Sequence, residues 1–151
     1  MINVVNFLQA IDGQAALCAG DGQFLGLVSS DQFHLHSICN PNGMHGSPYS
    51  VTSVQNPHGI YGSPHGLYSP YNPYSIQPPV IIYQNQIVLT VSKNPYVVSD
   101  VSVIDPDILF SVYNSGKGTH SPTSIEDAYT QARIANQNFL ASLHSNGIDQ
   151  P

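Results

Sequence analysis

The sequence predicts a β-rich α+β fold: hairpins forming a small antiparallel sheet, an irregular Tyr/Gly/Pro repeat lobe and one C-terminal helix. Three observations carry this. Short apolar runs are separated by turn dipeptides, β-branched residues crowd Val80 to Ile104, and the end of the chain has a helical apolar period. A chain of 151 residues fits a single domain, 1–151.

Residues 1–30 read as a β-meander. Val4 to Ala10 leads to Asp12-Gly13, Ala15 to Ala19 leads to Asp21-Gly22, and Phe24 to Val28 follows. Asp-Gly suits the tight hairpin turn because both central residues of a type I′ turn need positive φ.

Residues 31–79 hold most of the proline, much of the glycine and almost no charge, and they read as a tandem repeat lobe. Ser37-Ile38-Cys39-Asn40-Pro41-Asn42-Gly43 recurs as Ser53-Val54-Gln55-Asn56-Pro57-His58-Gly59. It recurs again, degraded, as Ser69-Pro70-Tyr71-Asn72-Pro73-Tyr74-Ser75, so that the step is sixteen positions each time. Asn-Pro initiates turns, since the Asn side chain bonds the backbone ahead and proline fixes φ.

Residues 80–104 predict a hairpin and a strand. Val80 to Tyr83 and Gln86 to Ser92 flank Gln84-Asn85, and Val97 to Ile104 is the further strand. The stretch from Leu17 to Phe33 is echoed from Val80 to Tyr96, with Gln23 matching Gln86, Val28-Ser29 matching Val91-Ser92 and Phe33 matching Tyr96. Asp105-Pro106 opens a short helix over Asp107 to Tyr113. The C-terminal helix is expected over 123–145, where Ile125, Ala128, Ala132, Ala135, Phe139 and Leu143 share one face. Ser124 with Asp127 starts it and Gly147 lies just past its end.

Tyrosine supplies large area, few rotors and a polar tip. Tyr49, Tyr61, Tyr68, Tyr71 and Tyr74 are therefore the candidate partner-binding residues; the alternative is that these rings pack the interior of the lobe itself.

Gly22-Gln23-Phe24-Leu25-Gly26-Leu27-Val28-Ser29, followed by Asn40-Pro41-Asn42-Gly43, Gly46-Ser47-Pro48-Tyr49-Ser50, Asn56-Pro57-His58-Gly59-Ile60-Tyr61-Gly62-Ser63-Pro64 and Asn72-Pro73-Tyr74, is a distinctive pattern. Over roughly residues 20–96 it resembles uncharacterised bacterial proteins with Asn-Pro-Tyr-Gly-x-Tyr-Gly-Ser-Pro-Tyr-Ser repeats. Asn42 and His58 stand where tyrosine is usual. The resemblance implies no activity; it implies a repeat architecture of the kind often seen in exported proteins.

Charge excludes some functions. Charged residues make up 8% of the chain, against about 25% in typical soluble domains. Lys93, Lys117 and Arg133 are the only Lys or Arg, and net charge is −6. Three scattered cations cannot neutralise a phosphate backbone, so no nucleic-acid partner is expected. No run of about 18 apolar residues occurs, which predicts no membrane insertion. Met1 to Phe7 lacks a basic region and an apolar core, so no signal peptide is expected, and a virion or the cytoplasm is favoured over secretion.

Catalytic residues, cofactors and a metal site are all expected to be absent. His34-x-His36 is the one tight histidine pair; His45, His58 and His65 lie in the repeat without a completing Cys or carboxylate cluster. Asp105 with Asp107, and Glu126 with Asp127, suit helix starts better than an acid–base dyad. Gly116-Lys117-Gly118 falls short of a phosphate loop, and no Gly-x-Ser-x-Gly elbow appears. Cys18 and Cys39 can pair, although buried thiols are the simpler reading.

The function expected is therefore that of a non-enzymatic structural or interaction protein packing into a larger assembly, such as a cement or accessory component of a virion. Its partners would be protein, either its own copies or the subunits of an array. A cell-envelope or secreted assembly protein is the alternative, and a His-based metal-binding protein or enzyme a further one.

Overall fold

The computed structural model describes residues 3–115. In chain order the elements are α1 (Val4–Ala10), β1 (Ala15–Cys18), β2 (Phe24–Val28), β3 (Val80–Tyr83), β4 (Gln86–Val91), β5 (Val103–Ile104) and α2 (Pro106–Ser115). The strands form one sheet in the order β2-β1-β3-β4-β5, antiparallel except for the parallel β4–β5 pair. The fold is α+β and β-rich. The helix expected over 123–145 lies outside the described residues.

The first apolar run is a helix, not a strand of a meander. Asn3 Oδ1 accepts from Val5 N at 2.9 Å and from Asn6 N at 3.4 Å, satisfying two amides that the first helical turn leaves open. Val4, Phe7, Leu8 and Ile11 then fall at helical spacing, and Leu8 and Ile11 are fully buried. This period outweighs the strand preference of the adjacent valines. Asp12-Gly13 accordingly joins α1 to β1, while Asp21-Gly22 turns the hairpin β1–β2, with Gly22 at φ +91°. In the β3–β4 turn, Gln84 and Asn85 both take positive φ, as a two-residue hairpin turn of that hand requires.

The strand expected over Val97 to Ile104 shortens to Val103–Ile104. Upstream, side chains take the backbone groups that a ladder would need. Asn94 Oδ1 accepts from Tyr96 N, and the Ser99 hydroxyl both donates to Val101 O and accepts from Val101 N. The short helix expected after Asp105 is α2. Asp105 Oδ1 accepts from Asp107 N at 2.8 Å, and Tyr113, buried on α2, donates its hydroxyl to Leu8 O on α1 at 2.8 Å. The core lies between the two helices and the sheet, filled by Leu8, Ile11, Leu17, Leu25, Ile81, Leu89, Leu109 and Tyr113.

The two hairpins carry the same irregularity. Leu17 faces Gly26 and Cys18 faces Phe24, which leaves Leu25 as a bulge; Ile81 faces Leu89 and Ile82 faces Ile87, which leaves Val88. Leu25 and Val88 stand at equivalent places in the sequence echo, as far apart as Leu17 and Val80. Beyond the strands, Ser29 Oγ accepts from Asp31 N and Asp31 from Phe33 N; Ser92 Oγ likewise accepts from Asn94 N and Asn94 from Tyr96 N.

Residues between Val28 and Val80 form neither helix nor strand. They lie against β2, where Leu27 N donates to His36 O and Ile38 N donates to Leu27 O. That contact covers a sheet edge which would otherwise present unpaired backbone groups.

Candidate functional site

Each Asn-Pro or Ser-Pro pair in this segment builds the same turn. Pro41 has no N–H; Asn42 N donates to Asn40 Oδ1 at 3.0 Å, and Gly43 N donates to Asn40 O at 3.0 Å. Proline therefore occupies the position whose amide would have no acceptor, and all the turn's donors are accounted for. Ser47-Pro48-Tyr49, Asn56-Pro57-His58, Ser63-Pro64-His65, Ser69-Pro70-Tyr71, Asn72-Pro73-Tyr74 and, beyond β4, Asn94-Pro95-Tyr96 repeat it, with side-chain caps of 2.9–3.1 Å. Asp31 caps Phe33 N in the same way, at 2.8 Å, with Gln32 in place of proline.

The turns are tied to one another. Asn40, Asn56 and Asn72 each donate Nδ2 to the carbonyl six residues back, at His34, Ser50 and Gly66. Thr52 Oγ1 reaches Met44 O, Ser75 Oγ reaches Leu67 O, and Gln55 Nε2 spans 17 residues to Ile38 O. Ser37, Ser53 and Ser69, which open the three repeat copies, are fully buried and face inward. Gly46 and Gly62 are required where successive turns meet, because a Cβ there would overlap the carbonyl oxygens of Asn40 and Asn56.

Inward serines and tied caps leave a defined outward set. In the turns begun by Asp31, Asn40, Ser47, Asn56, Ser63, Asn72 and Asn94, the residue two places after the capped amide is aliphatic and exposed: Leu35, Met44, Val51, Ile60, Leu67, Ile76 and Val98, from 52% at Ile60 to 95% at Val98; the turn begun by Ser69 has Pro73 there. The capped residues themselves include Phe33, Tyr49, Tyr74 and Tyr96, all 86–90% exposed. Residues 31–79 contain one charged residue, Asp31. Seven aliphatic and four aromatic side chains thus stand in solvent between positions 33 and 98.

The five candidate tyrosines divide. Tyr49 and Tyr74 are in the outward set. Tyr61 is buried; its hydroxyl donates to Asp21 Oδ2 at 2.7 Å and its ring stacks on Tyr68 with centroids 6.2 Å apart. The bond to Asp21, and then burial, push the pKa of the Tyr61 hydroxyl up to about 12. Tyr68 is half-buried against the core. Tyr71 is half-buried too, and burial, reinforced by the Asp107 charge, pushes its hydroxyl up to about 12. Tyr61, Tyr68 and Tyr71 thus pack the protein's own interior to differing degrees. The aliphatic row has a sequence signal that tyrosine counting passes over: an aliphatic residue stands three places after Pro41, Pro48, Pro57, Pro64, Pro73 and Pro95.

His34, His36 and His45 make a ring cluster against β2. His36 lies 6.1 Å from His34 and 5.9 Å from His45, and the edge of Phe24 meets His45 at 4.9 Å. His45 is buried; its Nδ1 donates to Thr52 O at 3.3 Å. Burial lowers its pKa, the Thr52 bond opposes this, and neighbouring His36 lowers it further. His34 Nδ1 accepts from His36 N. Among the described residues no three His, Cys, Asp or Glu are placed to hold a metal ion.

Asp105 and Asp107 flank the Lys93 ammonium at 3.1 and 2.7 Å and start α2. Glu126, Asp127 and Lys117 lie outside the described residues. Cys18 and Cys39 are thiols, not a disulfide. A hollow of about 540 Å³ beside the β3–β4 turn is lined by Ile87, Thr90, Ser99 and Asp100 among others; Asp100 is its one titratable lining residue, which gives no acid–base pair. No family model, curated protein or solved structure matches this chain.

Proposed function

We propose that this protein is a non-enzymatic structural module that packs into a larger protein assembly through the exposed apolar side chains of its turn segment. One observation carries the reading: six capped turns between Asp31 and Tyr74, and a seventh at Asn94 beyond β4, each present an exposed aliphatic side chain two places after the capped amide. Turns fastened by so many side-chain bonds fix the backbone that carries those side chains before contact, which lowers the ordering entropy that opposes association. The near-absence of charge suits dense packing beside identical neighbours, as in a virion shell or tail where a cement or accessory protein sits.

The size of the native species tests this. In a gradient of a gentle lysate of the source, the protein should migrate in a species several times the mass of a single chain. Val51→Glu with Leu67→Glu, at two exposed positions, should return it to the monomer fraction. A native protein that migrates as a monomer before any substitution refutes the proposal.

A further inference from the structure

We infer that residues 123–145 seat as an amphipathic helix on the sheet face turned away from α1 and α2, which makes the sheet the middle of three layers.

Strand register places this face. Side chains alternate along a strand, so with Leu17, Ile81, Leu89 and Ile104 in the core, their neighbours stand on the other side. Cross-strand pairing aligns those neighbours in two adjacent rows. Leu27, Ala16, Ile82 and Ile87 lie side by side in the first. Phe24, Cys18, Val80, Thr90 and Val103 do so in the second, which crosses all five strands. Neither row carries a charge. Thr90 is buried, Phe24, Ile87 and Val103 are exposed, and the other five are half-buried. Both sides of the face are walled. The Phe24 edge meets the His36 and His45 rings, and Ser99, Asp100 and Val101 stand with Val80, Ile87 and Thr90 around the hollow beside β4.

The size of the face selects its occupant. Strands lie about 4.8 Å apart and same-face residues about 7 Å apart along a strand, so two rows over five strands make on the order of 300 Å². A stable pair of separate proteins needs about 800 Å² from each partner. A segment of the same chain needs far less, because a short tether holds it at an effective concentration of about a millimolar. The sequence supplies such a segment. Ile125, Ala128, Ala132, Ala135, Phe139 and Leu143 share one face over about 27 Å of helix, and the three alanines let that helix approach the sheet closely. The tether also reaches. From Ser115, where α2 ends on the core side, the chain to Ile125 can extend about 33 Å, and two layer spacings of about 10 Å take it across the sheet. Seated there, the segment closes the apolar sheet face and leaves the turn segment as the surface a partner meets.

Cys18 lies in the second row and registers the cover, with buried Cys39 as the reference thiol in the same chain. In the full-length protein, iodoacetamide should alkylate Cys18 slowly. Ala132→Glu sets a charge in the apolar stripe and should speed that reaction about tenfold or more. Gln137→Glu, on the opposite side of the same helix, should not. From the sheet side, Ile87→Glu stands at an exposed position of the first row. It should speed hydrogen exchange of amides 125–143 about tenfold or more while β1 and β3 stay protected. Ile87→Ser replaces it if the glutamate opens the sheet. Both readouts should agree at about 1 μM and about 100 μM, because a tethered contact does not dilute.

A Cys18 rate that Ala132→Glu leaves unchanged overturns the inference. So do amides 125–143 that exchange like an unstructured peptide in the unsubstituted chain, or that ignore the Ile87 substitutions while the sheet is intact. Protection lost on dilution overturns it too, because the helix would then come from a second copy.

Discussion

Asn56 and Ser50 are joined by the Asn56 amide, which donates Nδ2 to the Ser50 carbonyl at 2.9 Å while its Oδ1 accepts from His58 N at 3.0 Å. One side chain thereby closes its own turn and fastens it to the turn before. Asn56→Ala removes the partners of the half-buried Ser50 carbonyl and of the His58 amide, and should cost about 1–2 kcal/mol by urea denaturation. Asn56→Ser keeps the cap, as Ser47 and Ser63 do in neighbouring turns, but cannot reach Ser50; its cost should fall between Asn56→Ala and zero.

Close backbone approach is the second determinant. Gly62→Ala would drive a methyl group into the Asn56 and Val54 carbonyls, whereas Gly59→Ala meets mainly the Asn56 side chain at 3.2 Å or more. The first should destabilise by about 2–3 kcal/mol and the second by less than about 1 kcal/mol, read from denaturant midpoints.

Tyrosines separate by position. Tyr61→Phe deletes the hydroxyl bond to Asp21, a carboxylate in contact with solvent, and should cost about 1 kcal/mol. Tyr49→Ala and Tyr74→Ala, both at exposed rings, should leave the urea midpoint within about 0.5 kcal/mol of the parent. The same two substitutions should weaken association, which sedimentation would register.

Acid sensitivity should trace to His45. Its folded-state pKa lies below the ordinary 6.5, so the unfolded chain takes up the proton more readily. The stability it contributes is complete above pH 6.5 and declines as pH falls through 6.5 toward the lower folded value. The ring it would charge is enclosed by Phe24, the Thr52 carbonyl and His36, so protonation loosens the seam between β2 and the turn segment. Urea midpoints measured from about pH 7.5 to about pH 5 should fall, and His45→Gln should flatten that slope.

Much of this architecture is legible before any coordinates, because it is written in local chemistry. Asn-Pro and Ser-Pro dictate a capped turn by themselves: proline removes the one donor without an acceptor, and the preceding side chain reaches only the next turn's amides. Gln84-Asn85 between β-branched runs specifies a hairpin for the same reason, since short-range φ preferences suffice. Tertiary packing decided the rest. Val4 to Ala10 has the composition of a strand; the Asn3 cap and the spacing of Leu8 and Ile11 permit a helix, and burial of those two side chains in the core that holds Tyr113, at the far end of the described chain, selects it. Whether a tyrosine faces in or out is likewise absent from its neighbours in sequence. Tyr61 turns inward because the Asp21 carboxylate, distant in sequence, accepts a hydrogen bond from its hydroxyl, whereas the Tyr49 ring stands out in solvent. Short-range bonding fixes the turn; only the enclosed volume determines which side chains it leaves in solvent.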